Sequence, residues 1–112
     1  MKAINQANDF VLAAHVETAK TFWSRMKGLL GRANLPEGYG MLITNCNGIH
    51  MFFMRFAIDA VFLDYEGKVL AILRDFKPWR VSKMYWGAKN VLELPAGTVK
   101  HNVKNGDVIL FN

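Results

Sequence analysis

Cys46, His50, Met51, Met54, Arg55, Asp59 and Asp64 all fall within "NCNGIHMFFMRFAIDAVFLD", residues 45 to 64, one of the most apolar stretches of the chain. Their types suggest several chemistries. Cys46 and His50 could serve as nucleophile and base, but four residues of extended chain hold them roughly 13 Å apart unless Asn47 and Gly48 turn the backbone sharply. The spacing favours a mostly buried, inert cysteine. His50, Met51, Met54 and Cys46 are donors that suit Cu(I), yet in extended chain only His50 and Met54 share a face. Methionines among phenylalanines more often fill gaps in a core, so no metal or cofactor is expected.

Arg55 gives the sharper expectation. With period two it shares a side with Ile49, Met51 and Phe53, and a lone buried charge costs several kcal/mol. It should therefore meet Asp59, Glu93 or both, either as an ion pair that fixes strand register or as an anchor for a carboxylate or phosphate ligand. Asp59, Asp64, Glu93 and Asp107 form the pool for acid–base work, although Asp64 and Asp107 occupy favoured turn positions in "DYEG" and "NGD". No glycine-rich phosphate loop, HExxH helix or GxSxG elbow occurs.

A second stretch, "RDFKPWRVSKMYWGAK" at 74 to 89, interleaves Arg74, Lys77, Arg80, Lys83 and Lys89 with Phe76, Trp79, Tyr85 and Trp86. Rings and cations together suit single-stranded nucleic acid, sugar phosphates or an acidic protein segment. A basic loop that docks its aromatics on its own domain would carry the same pattern.

These residues need a scaffold. The 112-residue chain is 52% hydrophobic, enough for one core, so residues 1–112 read as one domain. The net charge of +5 favours acidic partners only weakly. One cysteine excludes an internal disulfide and an ordinary cysteine zinc site. No apolar run approaches the roughly 18 to 20 residues of a membrane span. The N-terminus lacks a signal-peptide pattern, so the expected location is the cytoplasm, with a trimmed export signal as the alternative.

"DFVLAAHV" reads as a first strand, and "TAKTFWSRMKGLLGR" as an amphipathic helix capped by Thr18 or Thr21 and ended by Gly31. "MLITNC", "GIHMFFMRF", "IDAVFLD" and "KVLAILRDF" read as strands, the last two as a hairpin through Asp64 to Gly67. "NVLELPAG" is another strand stopped by Pro95 and Gly97, "TVKHNV" could form a helical turn, and "GDVILF" closes the chain as a strand. The expected fold is α+β: a curled, mostly antiparallel β-sheet or small barrel of about six strands, with one main helix and a short second helix.

The segments "RMKGLLGR", "GIHMFFMRFAIDAVFLDYEGKVLAI", "KPWR", "VLELPAGTV" and "NGDVI" occur in the order seen in the bacterial and archaeal family called domain of unknown function 192. The resemblance covers nearly the whole chain. The family's Ile-His, Met-Arg-Phe, Ile-Asp and Phe-Leu-Asp series resembles the stretch carrying His50, Met54, Arg55, Asp59 and Asp64. Glu93 and Gly97 match its Leu-Glu-Leu and Ala-Gly elements, and Gly106 and Asp107 its closing Gly-Asp. Ala57 stands where a proline is common. The resemblance implies a compact α+β domain and no established activity, cofactor or substrate.

Two function classes follow. The leading one is a non-catalytic binding or accessory domain recognising an anionic ligand or partner through His50, Arg55, Asp59, Glu93, Trp79, Arg80 and Lys83. The rival is a small hydrolase or transferase with carboxylates in the same cleft, which requires at least two titratable groups to converge in an open pocket.

Overall fold

The computed structural model describes residues 1–20, 35–51 and 54–112. Short apolar runs broken by turn residues form eight strands there: β1 (Ala3–Asn5), β2 (Val11–Ala13), β3 (His15–Ala19), β4 (Tyr39–Thr44), β5 (Ile58–Leu63), β6 (Val69–Phe76), β7 (Asn90–Pro95) and β8 (Ile109–Phe111). They make a three-stranded sheet ordered β2-β1-β8 and a five-stranded sheet ordered β3-β4-β7-β5-β6. All pairings are antiparallel except that of β3 with β4. A parallel pair needs a crossover of a dozen or more residues, which the chain between Ala19 and Tyr39 supplies.

β5 is the heart of the larger sheet. All six of its residues are buried, because β6 and β7 flank it and both of its faces are covered. On one face Leu42, Val61, Leu63, Leu92 and Leu94 pack against Ala3, Leu12, Ala13 and Ile109 of the smaller sheet. On the other, Met41, Ile43, Ile58, Ala60, Phe62 and Val91 pack against Ile49, Met51, Met54 and Ala88 from the loops. Gly40 faces the smaller sheet at close quarters: a Cβ there would lie 3.0 Å from Leu94 of its own sheet and 3.2 Å from Ala13 of β2. The sheets also join at an isolated bridge between Lys68 and Val108, with the Val69 amide donating to the Asp107 carbonyl at 2.8 Å.

The expected α+β class is corrected by this architecture: the described residues are all-β, and the two sheets do not close into a barrel. The expected main helix falls mostly on residues outside the described ones, and Thr18 and Ala19, at its proposed start, instead finish β3. The expected short helix at 98 to 103 is a pair of turns. Lys100 has φ +48°, which no right-handed helical turn accommodates, and the Val99 amide is taken by the Asp59 carboxylate. "DFVLAAHV" is not one strand. It breaks at Ala14, where the amides of Ala14 and His15 both donate to the Gly38 carbonyl, and its halves enter different sheets. "GIHMFFMRF" supplies only a bridge, His50 to Val81, among its described residues.

The smaller sheet is tied down by a polar knot. The buried Asn5 side chain donates to the Asn102 carbonyl at 3.0 Å and to Asp107 Oδ2 at 2.9 Å, and the Lys104 amide donates to the same Asp107 oxygen at 2.9 Å. The Asn5 hydrogen bond, followed by the Lys104 amide, holds the Asp107 carboxyl below its ordinary value of 3.8. A depressed carboxylate stabilises the fold above its unfolded pKa, and that contribution disappears as the pH falls through the folded value. Asp107→Asn should therefore flatten the decline of melting temperature with acidification below about pH 4. An unchanged acid limb in calorimetry would refute this role.

Candidate functional site

The two chemistry-bearing stretches lie side by side. The Cys46 amide donates to the Lys89 carbonyl at 2.8 Å, Tyr85 to Asn47 at 2.8 Å, Ser82 to Ile49 at 2.8 Å and Met51 to Arg80 at 2.7 Å. Trp79 in turn donates to the Met51 carbonyl at 2.8 Å, and the Ile49 amide to the Ser82 hydroxyl at 2.9 Å. Residues 46 to 51 thus act as an inner rail, buried through Ile49 and Met51, on which 79 to 89 is zipped antiparallel.

This outer ribbon is anchored by one ring and shows two others. Half-buried Tyr85 packs on Phe62 with centroids 4.4 Å apart, whereas Trp79 is 59% exposed and Trp86 83% exposed. Val81 and Met84 are also exposed, and Arg80, Lys83 and Lys89 lie exposed among them. The Lys83 ammonium sits 5.3 Å from the Tyr85 ring centroid. Trp79 adopts φ +68°, a left-handed conformation uncommon for a bulky residue, and the hydrogen bonds of residues 79 and 80 to Met51 hold it there. Its ring is thereby presented by a fixed backbone.

The carboxylates occupy a different place. In the antiparallel register Glu93 stands opposite Ala60 and Met41, so it points to the face that carries Phe62 and Val91. Asp59, one residue from Ala60, points to the opposite face, toward the smaller sheet. Asp59 is 1% exposed and Glu93 0%. Asp59 is occupied structurally: Oδ1 accepts from the Asp75 amide and Oδ2 from the Val99 amide, each at 2.9 Å. Those bonds hold the left-handed Asp75 (φ +50°) in β6 and the turn that follows β7.

Arg55 is exposed at a bend, with no ion pair to Asp59 or Glu93 among the described residues. The expected Arg55, Asp59 and Glu93 centre is not assembled. The parity argument assumed extended chain from 49 to 59, but a strand begins only at Ile58. His50, half-buried on the rail, and Trp79, Arg80 and Lys83 on the ribbon do come together as neighbouring segments. Cys46 is half-buried, and its thiol donates to the Gly48 carbonyl at 3.0 Å. Among the described residues no group of three His, Cys, Asp or Glu side chains has metal-binding geometry, and no helix is long and apolar enough to cross a membrane.

A family model covers residues 3–111: domain of unknown function 192 (DUF192), described as Uncharacterized ACR. The chain belongs to this family. It is similar to a UPF0127 protein of Thermococcus sibiricus, 35% identical over 95% of this chain and 71% of that one. A UPF0127 protein of Thermococcus gammatolerans is 34% identical over 97% and 74%. The fold matches the crystal structure of a protein of unknown function from Novosphingobium aromaticivorans, with TM-score 0.80 and 20% identity, covering 98% of this chain and 82% of that one. In this DUF192 chain the ribbon also exposes Trp86 and Lys89, which are not among the site residues expected from the sequence, and Trp86 is the larger contact surface. The indole's signal was present in the alternation of rings and cations, but only the fold, which stacks Tyr85 on Phe62 and leaves Trp86 outside, separates the two.

Proposed function

We propose that this DUF192 chain is a non-catalytic binding domain whose ribbon, residues 79 to 89, holds an anionic partner bearing flat rings. The carrying observation is the left-handed, exposed Trp79 held against Met51 next to Arg80, with Trp86, Lys83 and Lys89 on the same ribbon. Rings offer stacking at low entropic cost, and fixed cations neutralise the charge beside them. The hydrolase or transferase reading draws no support from Asp59 and Glu93, which are sealed and point to opposite faces of the sheet.

The test is fluorescence anisotropy with a labelled oligothymidylate and with an acidic, phenylalanine-containing peptide. Binding at about 50 mM salt should weaken with a log–log slope near −2 for the oligonucleotide, as three cations at about 0.7 each imply. Trp86→Ala should reduce affinity by roughly 5- to 150-fold, the equivalent of about 1–3 kcal/mol per stacked base. Binding of the peptide alone would name an acidic protein as the partner. Absence of binding to either probe, or indifference to Trp86→Ala, would refute the reading.

A further inference from the structure

We propose that the ribbon docks this chain on an anionic lipid surface, with Val81 and Met84 entering the acyl boundary, Trp79 and Trp86 lying at headgroup level, and Arg80, Lys83 and Lys89 set against the lipid phosphates. The inference rests on the reading of the ribbon as an anion-holding surface and adds an occupant to it, carried by two aliphatic side chains that ring stacking does not use.

Nine large apolar side chains are exposed among the described residues, and four of them, Trp79, Val81, Met84 and Trp86, fall within eight consecutive positions. The other five are divided among the N-terminus, β2, β4, β8 and the turn between β5 and β6. Single exposed hydrophobes are ordinary, whereas a contiguous group marks a surface that meets something.

The fold presents each of the four from docked backbone. In the antiparallel bridge of His50 with Val81 the two side chains share a face, opposite to that of buried Ile49 and Met51, and Val81 is 62% exposed. Met84 lies along the rail, its Sδ 3.1 Å from where a Cβ on Gly48 would stand, and is still 53% exposed. Trp86 occupies the corner of a turn closed by the Ala88 amide on the Tyr85 carbonyl at 3.0 Å, with Gly87 at φ +94° as a type II turn requires. Tyr85 and Ala88 on either side of that corner are half-buried and buried, so the indole projects from a fixed base. Pro78 and Trp79 form a second corner at the start of the ribbon.

The charges around this patch name its occupant. Residues 74 to 89 contain one acid, Asp75, and the Lys77 ammonium already pairs with it. Arg80, Lys83 and Lys89 are exposed between and beside the apolar groups. A lipid surface offers this order of chemistry at one place: a sheet of negative phosphates above hydrocarbon, with tryptophan favoured at the boundary and long cationic stems able to reach back to the headgroups. Neither a base nor an acidic peptide supplies the hydrocarbon layer.

Co-sedimentation of the whole chain with vesicles of phosphatidylcholine, alone or with about a third phosphatidylglycerol, tests the inference. Binding to the anionic vesicles should be saturable and at least about tenfold stronger than to phosphatidylcholine alone, and Lys83→Gln should weaken it about fivefold, the share of one cation near such a surface. Brominated acyl chains should quench the tryptophan emission of the bound chain, and Trp86→Phe should reduce that quenching. Val81→Ser combined with Met84→Ser should weaken vesicle binding at least about tenfold while affinity for oligothymidylate or the acidic peptide stays unchanged. Both side chains are exposed, and a melting curve confirms that the double variant folds. Absence of binding to anionic vesicles, equal binding to both vesicle types, adsorption without quenching, or indifference to the double substitution overturns the proposal. Failure with vesicles while the oligonucleotide or peptide still binds overturns this inference alone. Vesicle binding with neither of those probes bound supports the lipid surface and overturns the ring-bearing partner.

Discussion

Asp59→Ala should lower the free energy of unfolding by about 3–5 kcal/mol, since two hydrogen bonds to an ionised group are each worth about 1.5–3 kcal/mol and their amide donors would be left without an acceptor. One of those donors belongs to Val99, which is fully buried, and the other to Asp75, whose left-handed backbone depends on that acceptor. Asp59→Asn distinguishes this role from simple packing. An asparagine retains the shape but offers one oxygen and an amino group that opposes the second amide, so it should lose at least half as much stability as alanine. Urea denaturation with an unchanged m-value measures both losses. A decrease below about 1 kcal/mol in the alanine variant would show that the carboxylate does not secure the two turns.

Phe62→Ala should have a comparable effect, about 3–5 kcal/mol, because truncation of a fully buried phenylalanine removes its transfer free energy and leaves a cavity. Its consequences should extend beyond stability. Phe62 supports the ring of Tyr85, and Tyr85 pins the ribbon that carries Trp86. Anion affinity should therefore fall in this variant although Phe62 faces the core. Trp86→Ala should show the reverse combination, weaker binding with little change in melting temperature, because the indole is largely in solvent. Faster amide exchange at Tyr85 in Phe62→Ala, and not in Trp86→Ala, would confirm the mechanical link. Equal exchange in both would break it.

The elements legible in the sequence were those whose ends carry strong punctuation. The hairpin of β5 and β6 turns through Asp64 to Gly67, where Asp64 Oδ1 accepts from the amides of Glu66 and Lys68 at 2.8 and 2.9 Å. β7 ends at Pro95, as the proline and glycine there indicate. Other elements left weaker traces. β1 is three residues long and owes its place to β2 and β8 on either side, a tertiary cause that a local pattern does not carry. The period of two does put Asp59, Val61 and Leu63 on one face, as the register shows, but β5 is buried throughout, so its sequence does not tell which face meets the smaller sheet. The partner of Glu93 was misassigned for the same reason as Arg55: extended geometry was carried through Arg55 and Phe56, where the chain bends. The basic and aromatic ribbon was legible as composition, but its docking on residues 46 to 51 depends largely on main-chain hydrogen bonds, which carry no side-chain signature in the sequence.

The central strand of the small sheet sets an order on events at the ribosome. Of these strands β1 is made before all the others, yet one of its two neighbours is β8, and Lys2 and Asn112 exchange amide hydrogen bonds at 2.7 and 3.1 Å. During translation, residues 3 to 5 must wait for residues 109 to 111 to leave the exit tunnel before that layer can be completed. Until then Leu63, Leu92 and Leu94, which that layer covers, lack part of their shelter. Pairings so distant along the chain close slowly, so the small layer stays incomplete until β8 has been made.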